Sequence, residues 1–312
     1  MQKSKKAAKQ TSHERDGRKL FWMALPFVIF IFVFHYLPLW GWSFAFVNYK
    51  PGRSVFQSDW VGFRNFTTLF MQPAMRTRLL EVMRNTLGLQ LINYLLMPLP
   101  MFFAVFLNEL RSVKLRKFVQ TVTTLPNFIS WVIMYALAYG MLAVDTGFIN
   151  NVLKQMGVIE TGISFLTSSD HVWLKMALLG VWKSLGWNAI VYLAAISGID
   201  HEILEAAEVD GAGRMRRIWH IILPQLIPTF FVLLIMSIGN FLNTGMEQYQ
   251  LFSNAMTKPY IETLDLYVYN MGIGSGLISY STAVGVMKSA ISIILFAGAN
   301  WFSKLVRGTS AF

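Results

Sequence analysis

The chain contains no cysteine. That excludes a disulfide-stapled secreted scaffold, a thiol redox protein and a cysteine-ligated zinc site. Charge is scarce as well: charged side chains make up 14% of the 312 residues, against roughly 25% in ordinary soluble domains. A water-soluble enzyme with one core does not fit that composition. Catalytic patterns are also missing. His13, His35, His171, His201 and His220 have no paired spacing for a metal, and no serine lies in a nucleophile elbow. No Gly-x-x-x-x-Gly-Lys-Ser/Thr loop occurs. The chain is therefore expected to hydrolyse nothing and to hold no cofactor, and ATP-driven work must use another subunit.

Apolar residues are what the chain has in excess, at 54%. One helical crossing of a bilayer needs roughly 20 of them, so six crossings use about 120 of the roughly 168 present. Six stretches are long and apolar enough, at about 20–47, 79–107, 119–142, 171–198, 223–246 and 276–302. The first runs through Phe27-Val28-Ile29-Phe30-Ile31-Phe32-Val33-Phe34, longer than a signal-peptide core, and no Ala-x-Ala-like site follows it. It reads as a retained span. Pro98, Pro100, Pro126 and Pro228 fall inside spans. Prolines are tolerated there when neighbouring helices satisfy the freed backbone, which favours a polytopic bundle over a single anchor. The expected organisation is all-α: a basic arm at 1–19, a six-helix membrane domain at 20–304 and a short tail at 305–312.

The net charge of +11 sorts by side. Sixteen Lys and Arg fall in the arm, the tail and the segments after the second and fourth stretches, and only seven in the other connections. Excess positive charge marks the cytoplasmic side, so both termini are expected inside, with no need to invoke nucleic acid. The Lys-rich first ten residues suit contact with anionic lipid head groups. Outside, the segments 48–78, 143–170 and 247–275 are too short to be domains and are expected to form short helices and turns over the mouth of the bundle.

One cytoplasmic segment, 200–224, carries a functional signal. Asp200 is an N-cap candidate, Glu202 suits the positive end of a helix dipole, and the helix is expected to run to about Asp210. Gly211 and Gly213 then supply a turn. A second helix is expected to stop at Leu223, because the residue before Pro224 is biased away from helical geometry. Within the first helix Ile203, Ala206, Ala207 and Asp210 share one narrow, mostly apolar face. Such a face suits insertion into a groove of a cytoplasmic partner, or packing against its own bundle.

The segment also resembles a family. Glu205-Ala206-Ala207, then Asp210-Gly211-Ala212-Gly213, then Ile221 and Leu223-Pro224, is similar to the EAA loop of ABC importer permeases. Leu25-Pro26, Tyr36-Leu37-Pro38 and Trp60-Val61-Gly62-Phe63-Arg64-Asn65-Phe66 resemble the branch that takes up oligosaccharides and polysaccharide fragments. Tyr280-Ser281-Thr282-Ala283-Val284-Gly285 and Lys288-Ser289 do so as well. The resemblance implies a type I importer permease fold in a bacterial cytoplasmic membrane. It implies a homologous second permease, two ATP-binding cassette subunits that hold ATP and Mg, and an extracytoplasmic solute-binding protein. Coupling would then rest on Glu205, Ala206, Ala207, Asp210, Gly211, Ala212, Gly213, Leu223 and Pro224. Glu205 would pair with a basic residue of the ATPase, or else within the chain with Arg214 or Arg216.

A sugar path needs hydrogen-bonding groups and aromatic faces at membrane depth. Candidates are Asn85 and Asn93 in the second span, Trp187, Asn188 and Tyr192 in the fourth, Asn240 and Asn243 in the fifth, and Lys288 in the sixth. An amide can equally tie two helices together, and a tryptophan near a span end can be an interfacial anchor. Lys288 requires a partner or water, which could be a uronate carboxylate or a residue such as Glu247. Two other readings stay open: the same architecture moving a solute such as a polyamine, and a self-contained carrier with a midplane site.

Overall fold

The computed structural model describes residues 17 and 19–307; the rest of the basic arm and the end of the tail lie outside the described residues. Five helices are long and apolar enough to cross a membrane, and a bent pair makes a sixth. They are Lys19–Phe46, Pro73–Asn108, Val113–Phe128 with Trp131–Leu142, Val172–Ser197, Arg214–Gly239 and Ile278–Trp301. Large apolar side chains such as Phe27, Phe30, Phe34, Leu91 and Ile294 are exposed on their outer faces, as a bundle solvated by lipid requires.

Three of the expected spans are corrected. The third is not one helix over 119–142: its halves are bent by 112°. Helix Val113–Thr124 tightens into a 3-10 turn at Leu125–Phe128, and a new helix starts at Trp131 with the Ser130 hydroxyl accepting from the Ile133 amide. Proline at 126 starts the break, but the residue that holds it open comes from the fourth span. The Lys183 ammonium donates to the Pro126 carbonyl at 3.0 Å, to that of Asn127 at 3.2 Å and to that of Ile129. It also lies 5.5 Å from the Trp131 ring centre, within cation–π range. Just beyond, Gly186 lets the two spans touch, since a Cβ there would sit 2.4 Å from the Thr123 carbonyl carbon.

The fifth span begins nine residues before its expected start and ends earlier, covering Arg214–Gly239 rather than 223–246. Leu223 is helical despite preceding a proline. A wide π turn at Ile218–Ile222 absorbs the amide that Pro224 lacks, so the chain continues through it. The second span starts at Pro73 rather than 79 and passes Pro98 with only a local turn.

The short connections gather at the end of the bundle opposite the 200–213 loop. They form helices Arg64–Met71, Phe148–Gln155, Glu247–Leu251, Lys258–Ile261 and Leu264–Tyr269. A small antiparallel ladder pairs Val47 with Trp60 and Asn48 with Asp59. Packing is uneven along the bundle axis. One apolar cluster, including Met101, Ala189, Ile196 and Leu226, sits toward the loop end. Two others draw residues from the opposite end, joining Leu264 and Tyr267 to Val82 and Ala283, and Tyr249 and Ile261 to Leu89 and Met176.

Candidate functional site

The loop helix covers His201–Val209, with the Asp200 carboxylate accepting from the Glu202 amide at 3.0 Å. Its end is a Schellman motif: Gly211 donates to the Glu208 carbonyl at 3.0 Å and Ala212 to that of Ala207 at 2.8 Å. Gly211 has φ +76, where a side chain would be strained. Gly213, by contrast, has φ −62 and open space around it, so it caps the next helix and does not form the turn expected of it.

No residue of the loop helix is buried. Leu204 packs on the bundle, while Ile203, Ala206 and Asp210 stay exposed and Val209 is 89% exposed. Glu205 is exposed and makes no ion pair among the described residues; Arg214 instead grips the carboxylate and carbonyl of Glu109, at the end of the second span. Arg217 pairs with Glu208 at 2.9 Å. The helix is therefore anchored at its base and open on its apolar face. Leu223 is buried in the core nine residues into the fifth span and Pro224 follows it, both separated from the loop helix by the glycine turn, the helix Arg214–Arg217 and the π turn.

The polar candidates at membrane depth separate into three groups. Asn93, Asn188 and Tyr192 meet in one cavity of about 430 Å³ between the second, fourth and fifth spans. Sequence reasoning missed its other polar groups: Ser184 lies in the fourth span, and Thr244, Gln248 and Tyr249 come from beyond the point where the fifth span ends at Gly239. Burial pushes the Tyr249 phenol up to about 12, against a smaller lowering by its hydrogen bond with Asn93, so it stays neutral. Among the described residues no charged side chain lines this cavity.

Asn243 and Lys288 line a second cavity of about 580 Å³ with Trp42 and the hydroxyls of Ser281, Thr282 and Ser289. Lys288 pairs there with Asp265 rather than Glu247. Asn240 and Asn243 lie past the end of the fifth span, in a turn where they bond each other at 3.1 Å.

The remaining two sit elsewhere. Asn85 is 1% exposed and gives its amide to the carbonyls of Pro259 at 2.8 Å and Glu262 at 3.3 Å, which ties the second span to the far end. Trp187 is 47% exposed and packs edge-on against Phe128 at the third-span break. Among the described residues no group of three His, Asp or Glu is placed to hold a metal.

Six spans carrying an exposed, base-anchored helix on one face define a membrane permease subunit. The chain belongs to the family described as the binding-protein-dependent transport system inner membrane component, whose model matches residues 96–308. It is 41% identical over 286 residues to Protein LplB of Bacillus subtilis (strain 168), covering 91% of this chain and 88% of that one. It is 40% identical to the polygalacturonan/rhamnogalacturonan transport system permease protein YteP of the same organism, covering 91% and 87%. It also matches a chain of a bacterial ABC transporter solved by crystallography and involved in the import of the acidic polysaccharide alginate. There the TM-score is 0.84 and the identity 32%, over 96% of this chain and 99% of that one. That transporter has also been solved in complex with an alginate pentasaccharide-bound periplasmic protein. The chain is thus a multi-pass inner-membrane transport subunit of an ABC importer and not an enzyme.

Proposed function

We propose that this permease carries oligosaccharide fragments of acidic polysaccharides inward, handed over by an extracytoplasmic solute-binding protein. It works with a homologous second permease and two ATPase subunits, which hold ATP and Mg, and both its termini are cytoplasmic. The observation that carries the coupling part is the helix His201–Val209, which buries no residue and leaves Ile203 and Ala206 of its apolar face exposed, with Ala207 half-buried. Ala206 and Ala207 permit close docking, the Gly211 turn fixes the direction of exit, and the unpaired Glu205 is available to a basic partner residue. Closure of the ATPases would draw the two such helices together, and differential ATP affinity for the two states would drive the alternation. Asn93, Asn188, Tyr192 and Gln248 offer the uncharged cavity as part of the sugar path. The substrate class rests on the two relatives that handle acidic polysaccharides.

Co-purification of the tagged chain with its second permease and ATPase tests the docking role. Gly211→Asp and Glu205→Ala are expected to release or uncouple the ATPase while the membrane subunit keeps its thermal stability. Full assembly and coupled ATPase activity in both variants would refute it.

A further inference from the structure

Lys288 is the cation of the second cavity, and its surroundings leave it with unused capacity. An ammonium has three donors. One meets Asp265 Oδ1, and among the described residues no other acceptor is bonded to it. Its side chain is only 14% exposed, so few waters complete the shell. Asp265, for its part, does not depend on the lysine alone. Its Oδ2 accepts from the Thr244 amide at 2.9 Å and the Gly245 amide at 3.1 Å, with the Thr244 hydroxyl at 3.4 Å. With two backbone amides donating to it, the Asp265 carboxylate keeps its place if the lysine turns away.

The turn that Asp265 clamps divides the two cavities. Asn243 faces the charged one and Thr244 the uncharged one. Along the sixth span, Ser281, Gly285, Lys288 and Ser292 follow one helical face into the charged cavity, and the buried Ser292 hydroxyl has no partner among the described residues. Hydroxyl groups on either side of an ammonium with one acceptor match a chain of sugar hydroxyls punctuated by carboxylates.

We infer that Lys288 reads the charge of the cargo, donating to the carboxylate of a uronate unit while Asp265 keeps it oriented when no sugar is present. This rests on the substrate class proposed above. It separates two tasks: the uncharged cavity accepts any sugar of fitting shape, and Lys288 gives preference to anionic ones. A charge-assisted hydrogen bond at this depth discriminates more strongly than one between neutral groups.

The test uses the full transporter in nanodiscs, without the binding protein, so that the protein's own selectivity is read. The probes are a galacturonate trisaccharide and its methyl ester, which has the same shape and no charge. Lys288→Met is expected to weaken binding of the acid at least tenfold and to leave the ester within twofold, while Lys288→Arg keeps the acid within about threefold. Retained ester binding shows that Lys288→Met is folded. Equal losses for both sugars, or no loss for either, would overturn the assignment of Lys288. Wild-type transporter that binds the ester but not the acid would overturn the substrate class on which it rests.

Discussion

The two ends of this bundle solve opposite problems. At the loop end, the helix His201–Val209 buries no residue; it is held by local hydrogen bonds, the packing of Leu204, the Arg217–Glu208 pair and the Arg214 grip on Glu109 at its base. At the far end, residues 248–267 supply buried Gln248, Tyr249, Ile261, Glu262, Thr263, Leu264 and Tyr267. There even a carboxylate is taken inside: Glu262 pairs with Arg78 and accepts from the Asn270 amide at 2.7 Å. A surface meant for a partner keeps its apolar face open and its fixings at the base. A surface that closes over its own spans spends its polar groups internally. Substitutions should therefore harm stability at the far end and in the span crossings, and harm coupling at the loop.

The strongest test is Lys183→Met, which leaves three carbonyls at the third-span break without their donor. We expect a loss of about 3 kcal/mol, read as a lowered melting temperature of the detergent-solubilised subunit. Next, Glu262→Gln removes the charge beside Arg78, which is a third exposed, so about 2 kcal/mol is expected by the same measurement. Gly211→Val forces a side chain into φ +76 and should cost about 1 kcal/mol locally, while ATPase activity becomes independent of transport. The smallest stability effect is predicted for Ala206→Arg, within about 0.5 kcal/mol of wild type. Transport in that variant should nonetheless fall at least tenfold if, as proposed, this face docks on the ATPase. If Ala206→Arg melted as low as Lys183→Met, the contrast between the ends would collapse.

The same contrast governs what the sequence reveals. The loop helix is legible because its signals are local: an Asp200 cap, an i, i+3, i+4 face and a glycine at the left-handed position all fall within about a dozen residues. The third-span break is not legible. Pro126 looks no different from Pro98 or Pro228, which leave their spans unbroken, and the deciding group, Lys183, lies 57 residues away from Pro126. The fifth span shows a rule overridden: Leu223-Pro224 signals a stop, and a π turn carries the helix through it. Among the polar candidates, residue type shows that a group is polar at depth but not where it points. Asn85 and Asn93 are two turns apart on one helix, yet the first ties down the far end and the second faces a cavity. Likewise Asp265 became the counterion of Lys288 through a turn that only the folded chain brings near.

The second span has a further consequence. Its 36 residues make a rod of about 54 Å, nearly twice the roughly 30 Å hydrocarbon core. Along successive turns it clasps the far end: Arg78 holds Glu262, Asn85 holds Pro259, the Thr86 hydroxyl accepts from the Leu264 amide at 2.9 Å, and Gln90 donates to the Phe241 carbonyl at 2.7 Å. At its other end Glu109 is fastened to Arg214 at the base of the loop helix. The rod is thus a lever fixed to a load at each tip. A tilt of about 5° displaces one tip by about 5 Å relative to the other, so a tilt that leaves the loop-end tip in place moves the far tip by about the width of a sugar ring.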